Sequence, residues 1–286
     1  MIGALHEIIQ LLRISRITAT SGGAIVGLLY CLGLSCSQML DTAQSVNLLQ
    51  LLDVSIATCW SSHGLCSTKE LERVLKNIAD NSSFYAGVTL GELFEATGIF
   101  FETTGFCLNT SETVFFNHES YPNMSAVDAV LISSTIPLLF QPVSFEGSMY
   151  VDGGVHHNYP ITRFPKNDPN TLGIVIKGTT SIYTEDSGID SLFVLLINAL
   201  LVKIESSHVD HNPSRTLYIN APANITSTSF DIDHDTLHVL YDIGSEVVRE
   251  YVANTMQVDF TQMPAVPTFS FVDVKTLSRQ ESPYCV

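Results

Sequence analysis

The sequence predicts an α/β fold: three layers, with a mostly parallel central sheet and helices on both faces. Three observations carry this. Of 286 residues, 45% are hydrophobic and only 15% charged, with a mean hydropathy of +0.25, so its elements bury more than one face. β-Branched and aromatic runs of strand length alternate with segments of helical period. Leu172 to Ile176 is a continuous apolar run of the kind found in parallel strands.

The elements follow in chain order. Ile8 to Leu12 belongs to an apolar opening helix, and Arg16 to Thr20 reads as a short strand. Ser21-Gly22-Gly23 interrupts, and Ala24 to Leu34 turns helical. Ile25, Val26, Leu28, Leu29 and Leu32 make that helix apolar almost all round, hence buried. Helical patterns cover Gln38 to Asp53 and Lys69 to Asp80. Ser67-Thr68-Lys69-Glu70 has the spacing of a capping box, as does Thr89-Leu90-Gly91-Glu92. Ile99 to Cys107 and Glu112 to Phe116 read as strands. Ser125 to Thr135 reads as a helix closed by Ile136-Pro137, because a residue before proline leaves the α region. Val143 to Phe145 and Met149 to Val151 form a hairpin around Glu146-Gly147, and Asp152-Gly153-Gly154 ends it. Asp190 to Glu205 reads as helix, Thr216 to Ile219 as strand, and His234 to Met256 as a long amphipathic helix. With no repeat and no linker, residues 1–286 are read as one domain, of which 257–286 is an irregular C-terminal extension.

The charge balance, 29 acidic against 13 basic residues, excludes a phosphate-backbone partner, which needs clustered Lys and Arg. Nucleic acid is therefore not expected, and neither is strong attraction to an anionic bilayer. No glycine-rich nucleotide loop is present. No apolar run is long enough to span a membrane, and His6 and Glu7 interrupt the opening stretch where a signal peptide would lie. A cytoplasmic setting with buried, reduced thiols is the expectation for the six cysteines, which lack any C-x-x-C spacing.

The informative place is Thr18 to Leu34. A nucleophilic serine must stand proud of the surface beside backbone N–H groups, and a sharp turn from strand to helix N-terminus does both. Such a turn needs small neighbours two residues on either side of the serine. Here the run is Ala19-Thr20-Ser21-Gly22-Gly23: Gly23 meets the second requirement and Ala19 stands where glycine is usual. Alone, Ser-Gly-Gly before a helix is more often a cap or phosphate turn. The second segment is Tyr150-Val151-Asp152-Gly153-Gly154, with a carboxylate at a strand end and two glycines after it. Alone, it reads as an Asx turn.

Together the two segments resemble the patatin-like phospholipase family. The Gly-x-Ser-x-Gly elbow of that family matches Ala19 to Gly23, and its Asp-Gly-Gly/Ala motif matches Asp152 to Gly154. The Asn-x-Pro that follows matches Asn158 to Pro160. Between them, Ala126 to Phe140 is similar to the family's helix leading into Ser-x-x-x-Pro-x-x-Phe. The resemblance implies a lipid acyl hydrolase with a Ser–Asp dyad. Ser21 would be the nucleophile, Asp152 the general base, Gly22 and Gly23 the oxyanion and elbow residues, and Gly153 and Gly154 the supporting motif. It implies an acyl-enzyme, a lipid or phospholipid substrate at a membrane surface, and no metal or organic cofactor. An ordinary carboxylate is a feeble base for an alcohol, so Asp152 is expected to be desolvated with a raised pKa.

One departure matters. The family carries a Gly-Gly-Gly-x-Arg/Lys-Gly loop whose amides build the oxyanion hole, whereas Met1-Ile2-Gly3-Ala4-Leu5 resembles the helix just beyond it. A catalytically silent lipid-binding or scaffolding protein is therefore a rival reading. A histidine-dependent esterase pairing Ser21 with His208 or His238 is another. His156 and His157, adjacent on an extended segment, are expected to point opposite ways and not to share a metal. His208 and His211 lack a third ligand. Asp231 to Asp242 lacks the glycine and glutamate of a calcium loop and reads as an acidic helix start.

Overall fold

A computed structural model of the chain describes residues 1–46, 64, 66–177, 195, 209–222, 225 and 232–256. The chain opens with helix α1 (Ile2–Leu11), strand β1 (Arg16–Ala19), and helices α2 (Gly22–Cys31) and α3 (Cys36–Ser45). Helices α4 (Lys69–Asp80) and α5 (Leu90–Thr97) precede strands β2 (Phe100–Cys107) and β3 (Glu112–Asn117). Helix α6 (Ala126–Ser133) leads to the hairpin β4 (Val143–Phe145) and β5 (Ser148–Asp152). A single turn, α7 (Gly154–His157), and a 3-10 turn (Pro160–Arg163) follow. Beyond them lie β6 (Gly173–Lys177), β7 (Thr216–Asn220) and the long α8 (His234–Met256).

The α/β class expected from the sequence is present, but the main sheet is mixed rather than mostly parallel. β1 pairs parallel with β2, while β2–β3, β2–β5 and β4–β5 are antiparallel. The reason is connection length: β2–β3 and β4–β5 are joined by tight turns that permit only antiparallel pairing, whereas β1 and β2 are separated by helices. In the β4–β5 turn, Glu146 and Gly147 both adopt positive φ (47° and 78°), the geometry that matches strand twist. β6 and β7 form a second, parallel pair.

β2 is the axis of the fold, and both of its faces are covered. Phe101, Thr103, Gly105 and Cys107 alternate onto one face, against α2 and α6. Two glycines permit this approach: a Cβ on Gly27 of α2 would lie 3.0 Å from the Phe101 ring, and one on Gly105 would lie 2.6 Å from Ile132 of α6. The main core here includes Leu28, Leu75, Phe84, Leu93, Phe116, Val127 and Ile132. On the opposite face, Glu102, Thr104 and Phe106 meet the segment after β5. Arg163 grips Glu102, Gly153 packs on Thr104, and His156 meets Phe106 edge-on. A separate cluster joins α1, α8 and β7 through Ala4, Ile8, Leu217, Ile219, Val248 and Val252.

Local signals are met unevenly. Thr89 and Glu92 form the expected capping box at α5. At α4 the expected box is absent: Thr68 is the N-cap and makes no side-chain cap bond, because Ser67 instead accepts the Lys69 N–H at 3.2 Å. The acidic start of α8 is a cap, with Asp233 Oδ1 accepting the Thr236 N–H at 2.8 Å. Cys31, Cys36, Cys66 and Cys107 are buried free thiols. Apart from Leu195, which is helical, the expected Asp190–Glu205 helix lies outside the described residues, as do the second half of the Gln38–Asp53 helix, Cys59, Cys285 and the extension 257–286.

Candidate active site

The strand topology brings Ser21 to Asp152. β1 lies along one edge of β2 with Ala19 opposite Thr103. β5 occupies the same edge from the other direction, with Asp152 opposite Gly105. Two strands of opposite sense thus converge end to end on β2, and only Thr104 separates their registers. Whatever follows β1 must meet the end of β5.

The turn after β1 is sharp. Ser21 has φ 54° and ψ −127°, a left-handed conformation that costs a non-glycine residue about 1–3 kcal/mol and persists only where its surroundings enforce it. The Ser21 N–H donates to Ser133 Oγ at 3.0 Å. Gly23 N–H donates to Thr20 O at 2.9 Å and Ala24 N–H to Ser21 O at 2.8 Å, closing the first turn of α2. Gly22 opens that helix, so its N–H has no carbonyl of its own helix to bond. The alanine at position 19 is tolerated because a Cβ on Gly23 would lie 3.6 Å from that of Ala19. The expected collision is therefore only ordinary contact.

Asp152 is 5% exposed. Burial pushes its pKa up from 3.8 to about 6, against the pull of hydrogen bonds from the Ser21 side chain and the Gly154 N–H. The Gly154 bond is 2.7 Å long. Desolvation dominates over both hydrogen bonds. The two glycines after the acid do different things: Gly154 supplies this donor, while Gly153 makes room. Gly153 has φ −64°, which any residue adopts, but a Cβ there would fall 2.1 Å from Thr104 Oγ1.

Residues beyond the sequence motifs hold the two halves together. Thr20 Oγ1 lies 2.8 Å from Thr104 Oγ1 and donates to His157 O at 2.8 Å. With its one proton so used, it accepts from Thr104. Glu102 is fully buried and receives Arg163 through both oxygens at 3.0 and 2.8 Å. Arg16, Thr18 and Asn117 add bonds at 3.3, 3.2 and 2.8 Å. Burial pushes the Glu102 pKa up, but Arg163, Asn117 and Arg16 together outweigh it and hold the group below the ordinary glutamate value. This pins the segment after Asp152 to β1, β2 and β3 at once. Thr20, Thr104, Glu102 and Arg163 carry no local pattern that marks them, because only the sheet register brings them together.

His156 and His157 correct an expectation. They lie in the α7 turn rather than on an extended segment, and both Nδ1 atoms approach Thr113 Oγ1, at 2.9 and 3.0 Å. His238 pairs with Gln44 at 2.9 Å on the surface, and His211 donates to Phe164 O at 2.7 Å. His208 lies outside the described residues. Among the described residues, no three His, Cys, Asp or Glu side chains converge as a metal site, and no helix is long and apolar enough to cross a membrane.

A serine on a strand–helix elbow and a desolvated carboxylate thus lie together in an α/β fold. The family model for patatin-like phospholipase matches residues 1–164, a span that includes both Ser21 and Asp152. The chain belongs to the patatin-like phospholipase family. It is 25% identical over 270 residues to uncharacterized protein R571 of Acanthamoeba polyphaga mimivirus, covering 88% of this chain and 89% of that one. It is 26% identical over 167 residues to the probable lipid hydrolase 463L of Invertebrate iridescent virus 6, covering 56% of this chain and 57% of the relative. Among solved structures it is similar to VipD from Legionella pneumophila (TM-score 0.49, 13% identity, 88% of this chain and 64% of that one). It is also similar to the type III effector protein ExoU (TM-score 0.48, 15% identity, 89% and 49%). The chain thus spans less than two thirds of the length of both solved proteins.

Proposed function

We propose that the chain hydrolyses carboxylic esters of lipids, phospholipids or neutral glycerolipids, through a Ser21–Asp152 dyad and without metal or organic cofactor. The observation that carries this reading is the convergence of β1 and β5 on β2, with Ala19 opposite Thr103 and Asp152 opposite Gly105, which sets Ser21 beside a carboxylate whose pKa burial raises to about 6. Above that pH Asp152 is ionised and takes the Ser21 hydroxyl proton as Oγ attacks the acyl carbonyl. The tetrahedral oxyanion forms beside the Gly22 N–H at the positive end of α2. As the alcohol leaves, Asp152 returns its proton to the departing oxygen. An acyl-Ser21 ester remains, and water, activated by the same carboxylate, releases the fatty acid. The strongly acidic chain favours capture of a neutral lipid surface through apolar contact. Family membership supports lipid hydrolysis in general. The name of the iridescent virus relative, a probable lipid hydrolase, points the same way.

The test is a fluorophosphonate ester followed by peptide mapping. The adduct is expected on Ser21, absent in Asp152→Asn and retained in His208→Ala and His238→Ala. No adduct on Ser21 in the intact chain sinks the proposal, and loss in either histidine variant transfers the role of base to that histidine.

A further inference from the structure

The C-terminal end of α6 touches both halves of the candidate dyad through its own backbone and side chains. Ser133, its last residue, is fully buried and accepts the Ser21 N–H on its hydroxyl at 3.0 Å. Two residues on, Thr135 O accepts the Asp152 N–H at 2.8 Å. The intervening chain is itself fixed: Ser134 N–H bonds Val130 O at 3.0 Å, and Thr135 Oγ1 donates to Leu131 O at 2.7 Å. Residues 129–133 are buried throughout, so this helix end cannot move without moving the core. The nucleophile and the base sit on different strands that meet only at their tips. Their separation is therefore set by what both tips are tied to.

We infer that Ser133 is a positioning residue for the reaction: its hydroxyl holds the Ser21 elbow at the left-handed angle that aims Oγ at Asp152. This rests on the hydrolase reading above and deepens it. The role is specific to the hydroxyl as an acceptor. Ser21 is the N-cap of α2, and in the structure its N–H finds its partner on the Ser133 side chain. Without that acceptor the half-buried N–H loses its partner, and φ 54° loses a restraint; the serine relaxes toward ordinary backbone angles that rotate Oγ away from the carboxylate. Ser134, next in line, is a useful contrast. It is also nearly buried, yet its hydroxyl has no partner among the described residues, so it holds nothing in place.

The experiment measures two quantities separately in the full chain: the fraction of protein labelled by a fluorophosphonate at saturation, and the rate constant of labelling. Ser133→Ala is expected to reach full labelling but about tenfold more slowly, the worth of one hydrogen bond expressed as rate. Ser133→Cys, close in size but a weaker acceptor, is expected to fall between the two, and Ser134→Ala to match the parent protein. The pH midpoint of labelling is expected to move upward in Ser133→Ala, because the Ser21 hydrogen bond that lowers the Asp152 pKa is weakened, and to stay where it is in Ser134→Ala. A general packing defect instead lowers the labelled fraction and spares the rate per active site. If Ser133→Ala labels within threefold of the parent rate at full stoichiometry, or Ser133→Cys is no better than Ser133→Ala, the inference is overturned while the hydrolase reading stands. If the parent protein takes no label at Ser21, the hydrolase reading itself has failed.

Discussion

A buried carboxylate with a raised pKa destabilises the fold that holds it, and the pKa gap gives the size of the effect. Asp152 has a native pKa of about 6 against 3.8 for the ordinary group. Between those values the native state keeps a proton that the unfolded chain has released, so stability falls as pH rises through this window. At ~1.4 kcal/mol per pKa unit the gap amounts to about 3 kcal/mol, fully expressed above pH 6 or so and absent below pH 4 or so. Asp152→Asn removes the charge while its side-chain oxygen can still accept from Gly154. The variant is therefore expected to gain on the parent protein as pH rises from ~4.5 to ~7.5, by about 2 of the 3 kcal/mol, while losing turnover. Urea unfolding at a series of pH values measures this; the slope of the difference with pH is read rather than its absolute value. A difference that does not change with pH, or a parent protein that becomes the more stable of the two toward neutrality, would refute the desolvation argument.

Three other perturbations follow from the same geometry. Gly153→Ala places a Cβ 2.1 Å from Thr104 Oγ1 and 2.8 Å from the Thr104 backbone carbon, so β2 or the turn must shift. About 1–3 kcal/mol of stability is expected to go, with turnover lost. Gly23→Ala meets only ordinary contacts at 3.6 Å and is expected to melt within about 2 °C of the parent, as calorimetry would show. Glu102→Gln leaves Arg16 and Arg163 facing a neutral group. Because both arginines are about a third exposed, the cost is expected at about 1–3 kcal/mol rather than that of a fully buried pair. The Glu102 pKa is held below its ordinary value, so its contribution is present at neutral pH and lost on acidification. Parent and variant should therefore converge in urea stability as pH falls below ~4.

The sequence made the elements legible where local chemistry fixes them. The all-apolar α2, the Glu146-Gly147 hairpin and the Thr89–Glu92 capping box are decided within a few residues. Strand direction in the main sheet is not decided locally, which is why a mostly parallel reading gave way to a mixed sheet. The α4 box failed because Ser67 found a nearer donor in Lys69. Likewise Ser21 and Asp152 stand out as residues at turn motifs, but the partners that hold them do not. Glu102, Thr104 and Ser133 look like ordinary strand and helix residues until β1 and β5 are laid end to end along β2. The misjudged His156–His157 pair has the same origin: the two glycines before it start a helical turn where an extended segment was expected.

The most direct test of the dyad is the pH dependence of turnover on a soluble short-chain acyl ester. With Asp152 as the base, the rate rises on a single ionisation centred near pH 6 and stays level above it, and Asp152→Asn abolishes it across the range. A rate that is flat with pH, one that is centred near pH 4 as for an exposed carboxylate, or one that survives in Asp152→Asn contradicts the account.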